Sequence, residues 1–306
     1  NILLGLRYKD WERVFFSNSG AEANECAIKT ARRRAYQTYG DESHSTIITL
    51  QSSFHGRTIT TLSATGQDCF HTEFGPFTGG FVHARPGDIE DLYRLAESYD
   101  CCAVMLETIQ GEGGINVLDR EYVRAAWELC QKLDMLLIVD EVQTGNGRTG
   151  KLYSYMHYDI TPDIVTTAKG LAGGLPMGAT LFGSRCADVL TPGSHGSTFG
   201  GNPVAAAGAV SIIERIDDTL LEAVIQKEQL VRAALADASG VIGVSGRGLM
   251  LGIQCEKKAG DIMSRAAEEG VLVLTAKDKV RLLPALNIPD DLLLEAMEIL
   301  KRVIAE

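Results

Sequence analysis

The segment Leu136-Leu137-Ile138-Val139 has no polar face. A strand with one side in water alternates apolar and polar residues, so a run like this must be covered on both sides. The same character recurs in "RVFF" (13–16), "STIITL" (45–50), "CAVMLE" (102–107), "DIVTTA" (163–168) and "GATLFG" (178–183). Helical patterns separate several of these runs, over 21–39 and about 120–133. Apolar strands alternating with helices specify an α/β fold, a mostly parallel sheet sandwiched by helices. Further helices are predicted over 203–216 and 220–238. Beyond them, "GLMLGIQ" (248–254), a helix, "GVLVLT" (270–275), "KVRLLP" (279–284) and a last helix read as a small α+β unit. That last helix has Pro289, Asp290 and Asp291 at its start and Lys301 and Arg302 at its end, as the helix dipole favours. The expected division is a large domain over 1–217 and a small C-terminal α+β domain over 218–306.

A chain of 306 residues is long enough for both. Its net charge of −11 argues against nucleic acid as a partner. The seven cysteines, at 26, 69, 101, 102, 130, 186 and 255, show no C-x-x-C spacing and read as reduced core thiols of a cytoplasmic protein. No apolar run reaches membrane-spanning length, and no signal peptide is visible. The chain opens on Asn1 and reaches a motif almost at once, as if an N-terminal segment were missing.

In open α/β sheets ligands bind beyond the carboxyl ends of the strands. After "RVFF" comes Ser19-Gly20-Ala21, a small-residue turn opening a helix with an apolar stripe at Ala23, Ala27 and Ala31. Such a helix start can hold a phosphate, or be a simple N-cap. After "STIITL" come Phe54, His55, Gly56 and Arg57. A ring and a guanidinium there can stack on a flat ligand and grip a carboxylate, or belong to an ordinary loop, with His55 no more than a loop histidine. Glu107 ends "CAVMLE", and Glu112 follows between glycines. Asp140 ends "LLIVD", and Lys169 follows "DIVTTA". An acid at the end of a buried strand demands a cation. Asp140 can pair with Lys169 directly, or the cation can belong to a ligand. A lysine so placed is expected out of water, where a neutral amine forms a Schiff base. Pyridoxal phosphate needs a lysine for its aldehyde, a carboxylate for its ring nitrogen, a helix start for its phosphate and a flat neighbour for its ring. All four occur here, each after a strand.

"GNGRTG" (145–150) fits the dinucleotide pattern G-x-G-x-x-G, but "EVQT" separates it from the strand and no helix start follows it. The six histidines give no H-E-x-x-H, and no cysteine pair has zinc spacing, so no metal is expected.

At these residues the chain resembles the class III, ornithine-type, pyridoxal-phosphate-dependent aminotransferases. The matching stretches are "NSGAEANECAIKTAR", "FHGRT", "IQGEGGI", "DEVQTGNGRTG", "PDIVTTAKGLAGGLPMGA", "GSHGSTFGGNP" and "VRLLPALNI", in family order over essentially the whole chain. The resemblance implies the fold-type I architecture and a role for each matching position. It makes Lys169 the lysine that takes the cofactor aldehyde and then moves the proton. It sets Asp140 against the ring nitrogen, Gln143 near the ring hydroxyl, Phe54 on the ring, and Ser19, Gly20 and Ala21 on the phosphate. Thr198 would reach the phosphate of a neighbouring subunit, which implies a homodimer with shared sites, with Ser197 beside it near the substrate. Arg57 would bind a substrate carboxylate. Arg281 would bind the α-carboxylate of glutamate, with Glu112 as its partner when the other substrate is present. "FHGRT" is similar to the acylornithine group, where plain ornithine enzymes show tryptophan at the position of His55. This implies N-acetylornithine as donor and 2-oxoglutarate as acceptor, with ornithine, succinylornithine and 4-aminobutyrate as alternatives. Family members carry a segment ahead of Asn1, so a chain that binds cofactor without full activity is a further alternative.

Overall fold

A computed structural model describes residues 11–306 of the chain. The abrupt start noted above lies outside the described residues. The first strand, β1 (Arg13–Ser17), leads into α1 (Gly20–Tyr39), β2 (Thr46–Leu50), α2 (Ile59–Ala64), β3 (Phe81–Ala84) and α3 (Ile89–Ser98). Next come β4 (Cys101–Leu106), a hairpin of β5 (Ile109–Gln110) and β6 (Asn116–Val117), α4 (Arg120–Lys132) and β7 (Leu136–Asp140). Two more strands, β8 (Ile164–Thr167) and β9 (Gly178–Phe182), precede α5 (Pro203–Ile213) and α6 (Asp218–Leu235). The remainder is β10 (Val241–Arg247), β11 (Met250–Cys255), α7 (Ala259–Glu268), β12 (Leu274–Ala276), β13 (Lys279–Leu282) and α8 (Asp290–Ala305).

Seven strands form one sheet in the order β1-β9-β8-β7-β4-β2-β3. Its neighbours from β8 to β3 pair in parallel, and β9 alone runs against both β8 and β1. The apolar runs behave as their composition demands. Along β4 and β7, Val104, Leu106, Leu137 and Val139 enter one hydrophobic cluster, while Ala103, Met105, Leu136 and Ile138 enter the other. Leu92, Tyr122, Val123 and Leu129, from α3 and α4, cover the first face. The second is covered by α1, whose Ala27, Ala31 and Ala35 are small enough to bring its backbone close to the strands. The mostly parallel sheet between helices is therefore the expected one.

The second sheet, order β10-β11-β13-β12, is antiparallel throughout. Ile253, Val280 and Leu282 pack against Val231, Ile262, Leu293, Met297 and Leu300, which belong to α6, α7 and α8. Three local readings differ from the sequence expectation. The strand predicted over 270–275 shrinks to β12, and Leu272 is 87% exposed. No β-run was expected at β10, because VIGVSGR carries glycines and its residues are half-buried or exposed. Edge strand β3 was also missed, because its four residues lack a fully buried face.

Candidate functional site

The carboxyl ends of the parallel strands converge on one cavity of about 510 Å³. Ser19, Gly20, Ala21, Phe54, Arg57, Asp140, Gln143 and Lys169 all line it, joined by Asn18, Asn24, His55 and Glu107. Parallel strands put their C-terminal loops on one edge of the sheet, and so gather residues far apart in sequence.

Asp140 is 3% exposed at the end of β7. Its Oδ2 accepts from Asn24 Nδ2 at 2.8 Å and lies 2.8 Å from His55 Nδ1. Its Oδ1 accepts from Val142 N at 3.0 Å. Among the described residues no ion pair joins Asp140 to Lys169, so direct pairing, one of the two readings left open above, is not the arrangement found. The carboxylate is instead oriented by neutral donors and a histidine, with its cavity side open to a cationic ligand. Asn24 was missed in the sequence because a polar residue on an alanine-rich helix face carries no local signal. It is nonetheless fully engaged, giving Nδ2 also to the His55 carbonyl at 2.7 Å and accepting from Thr166 Oγ1 at 2.7 Å. His55, expected to be an ordinary loop residue, is 2% exposed, and its Nε2 has no protein partner.

Lys169 departs from expectation. It is exposed, not withdrawn from water. Its backbone is left-handed, φ 42°, at the start of a single 3-10 turn over Lys169–Ala172. That turn lifts the residue off the end of β8 and onto the cavity wall, where it also borders a second cavity of about 630 Å³. A neighbouring acid, Glu107, is 5% exposed and accepts from Phe54 N at 2.9 Å. Burial pushes its carboxyl up to about 7. Glu141 is fully buried and is likewise pushed up to about 7 by desolvation; its side chain accepts from Tyr155 N at 2.7 Å and from the Thr144 hydroxyl. Glu141 is thus a support beneath the site.

At the end of β1, Ser19 caps α1, its Oγ accepting from Glu22 N at 3.2 Å. The N–H groups of Gly20 and Ala21, at the first turn, have no intrahelical partner and leave a positive helix end at the cavity. Gly178 permits this approach: a Cβ there would lie 2.3 Å from the Ser19 carbonyl oxygen. Opposite, Phe54 stands edge-on to Phe70, and the Arg57 guanidinium lies 5.1 Å from the Phe70 ring centre. Buried Gln143 Oε1 has no partner in the protein. The donor set suits pyridoxal phosphate, with a helix start for the phosphate, a ring neighbour, an unpaired amide oxygen and a buried carboxylate at the foot.

The remaining expected residues lie apart from the lining. Arg281 on β13 is 8% exposed and pairs with Glu112 Oε1 at 2.6 Å, and Gln143 Nε2 reaches the same oxygen at 3.5 Å. Ser197 Oγ accepts from Asn18 Nδ2 at 3.1 Å, whereas Thr198 is exposed. "GNGRTG" opens no helix. Its Asn146 donates to Thr167 Oγ1 and the Ala168 carbonyl, and its Arg148 donates to the carbonyls of Leu249 and Pro284. Asn146 and Arg148 therefore tie this loop to the end of β8 and to the loops flanking the small sheet. Among the described residues no cluster of metal-ligating side chains occurs, and no helix is long and apolar enough to cross a membrane.

A sequence model of the family described as aminotransferase class-III matches residues 1–304. The chain belongs to the class III aminotransferases. Curated relatives of this aminotransferase include the acetylornithine aminotransferases of Haemophilus ducreyi, 48% identical over 96% of this chain and 75% of that protein, and of Bacillus subtilis, 45% identical over 95% and 75%. Among solved structures, the ornithine aminotransferase of Toxoplasma gondii is 34% identical, with a TM-score of 0.90, covering 96% of this chain and 73% of that one. The N-acetylornithine aminotransferase of Stenotrophomonas maltophilia is 36% identical, with a TM-score of 0.84, over 97% and 76%. The fold is therefore fold-type I, and this class III aminotransferase is a pyridoxal-phosphate-dependent enzyme acting on small molecules.

Proposed function

We propose that the chain moves the terminal amino group of N-acetylornithine to 2-oxoglutarate, giving N-acetylglutamate semialdehyde and glutamate, a step of arginine biosynthesis. The observation that carries the reaction is the cavity on which Lys169, an oriented Asp140 carboxylate and the start of α1 meet. Support for the donor comes from the curated relatives, named acetylornithine aminotransferases at 41–48% identity.

Pyridoxal phosphate, when bound, supplies an electron sink that makes the carbon bearing the amine acidic. The chain supplies the rest. Asp140, oriented by Asn24, His55 and Val142, would face the ring nitrogen and favour its protonated form. The first turn of α1 and Ser19 hold the phosphate. Phe54 would cover the ring, and Gln143 Oε1, without a protein partner, would accept from its hydroxyl. With the cofactor bound, the Lys169 amine would hold and move the proton at the substrate carbon. Arg57 and Arg281 take substrate carboxylates, and Glu112 occupies Arg281 while the donor is bound. Thr198, exposed, would reach the phosphate at the site of a second copy in a homodimer, and Ser197, bonded to Asn18 of the cavity wall, would stand near the substrate. The units divide at 217/218, where Asp217 caps α6, and the free cysteines favour the cytoplasm.

The test is a half-reaction. The protein is loaded with pyridoxal phosphate, and its visible band is followed after separate additions of N-acetylornithine, ornithine and 4-aminobutyrate. Rapid bleaching by N-acetylornithine, with slow change from the others, is the expected result. Preference for ornithine or 4-aminobutyrate overturns the donor, and a band that no amine changes overturns the activity.

A further inference from the structure

Leu106 of β4 is in register with Val139 of β7, so the next residues, Glu107 and Asp140, are two buried carboxyls side by side at one cavity wall. Their surroundings differ. Asp140 receives Asn24 Nδ2 and Val142 N and faces His55 Nδ1, whereas Glu107 receives a single donor, the backbone N–H of Phe54. Two adjacent buried carboxylates cannot both ionise cheaply. Glu107, with fewer donors, is the one at which a proton is held at least cost. The charged groups acting on Glu107 are His55 on the loop after β2, Asp140 on β7 and Lys169 after β8.

We propose that Glu107 is a positioning residue with two tasks: it anchors the Phe54–Arg57 loop against the cavity, and by holding a proton it leaves Asp140 the sole anion at the cavity foot. The first task follows from the Phe54 N–H bond, since without it that donor is left unpaired beside the ring expected to cover the cofactor. For the second, burial and Asp140 raise Glu107, while His55 and Lys169 pull it down, leaving it at about 7. The carboxyl is therefore held well above the ordinary carboxylate range, toward its neutral form. This deepens the reading of the cavity as the cofactor site and rests on it for the loop task alone.

The experiment has two arms. In cofactor-free protein, the infrared band of neutral carboxylic acid is followed from about pH 5 to 9. Wild type should lose a buried-acid band with a midpoint near 7 that is missing from Glu107→Gln. The midpoint should fall in Asp140→Asn, where the like charge is gone, and rise in His55→Phe, where the favourable charge is gone. A role in packing alone moves neither. In the second arm, pyridoxal phosphate affinity is measured by fluorescence at about pH 6, where Glu107 is neutral. Glu107→Gln, which keeps an acceptor for Phe54 N, should bind within about twofold of wild type, and Glu107→Ala about tenfold more weakly or worse. An Asp140→Asn protein with an unmoved midpoint overturns the shared-proton task. Equal affinity in the alanine variant and wild type overturns the anchor. Should all three proteins fail to bind the cofactor while the infrared shifts appear, the cofactor-site reading fails and the proton assignment stands.

Discussion

Replacing Asn24 by alanine tests the support of Asp140 most directly. The side chain is 1% exposed and makes three hydrogen bonds, to Asp140 Oδ2, the His55 carbonyl and Thr166 Oγ1. Truncation leaves three buried polar groups each short of a partner. At about 1 kcal/mol for each such loss, the destabilisation is roughly 3 kcal/mol. For a chain of 306 residues, at about 2 cal/mol/K of unfolding entropy per residue, that corresponds to a fall in Tm of roughly 5 °C. Differential scanning fluorimetry of the cofactor-free protein reads it without any contribution from ligand binding. A fall of less than about 2 °C refutes the reasoning, because the network would then contribute little. Asn24→Asp adds a sign. It sets a second acid against Asp140, so its folded pKa rises above the unfolded value of about 4. A carboxyl raised in this way stabilises the fold only while protonated. The penalty must therefore grow as pH rises through the unfolded value toward the folded one, and an aspartate variant equally stable at both ends contradicts the geometry.

Three further outcomes follow from the same structure. Gly178→Ala drives a methyl group to 2.3 Å from the Ser19 carbonyl oxygen, so the turn before α1 must shift; fluorescence titration should show pyridoxal phosphate binding weakened about tenfold or more. Glu141→Gln keeps an acceptor for Tyr155 N and removes a carboxyl that burial holds at about 7; its gain in Tm over wild type should be small in acid and increase as pH rises toward that value, since wild type alone must then bury a charge or keep a proton. Arg281→Ala should raise KM for 2-oxoglutarate roughly tenfold or more while changing the bleaching rate with the amine donor far less; equal effects on both half-reactions would separate Arg281 from the acceptor carboxylate.

Much of the site was legible before any coordinates. The apolar runs of β4 and β7 announce burial on both faces, and a parallel sheet then gathers Ser19, Phe54, Asp140 and Lys169 on one edge whatever the strand order. These readings rest on local patterns: an unbroken apolar run, a small-residue turn, or an acid or amine directly after a strand. Local patterns failed where half-buried backbone carries no contrast, as in β3 and β10, and at Lys169, which is exposed and starts a left-handed turn.

The sequence by itself determined the layer architecture, the family and the set of groups beyond the strand ends, because burial and turn chemistry are written residue by residue. The tertiary structure decided which groups meet. Asn24 and His55 reach Asp140 across 116 and 85 residues, and Arg281 reaches Glu112 across 169. No local preference encodes those pairings. They follow from which strand lies next to which, and the long-range packing of the two sheets sets that order.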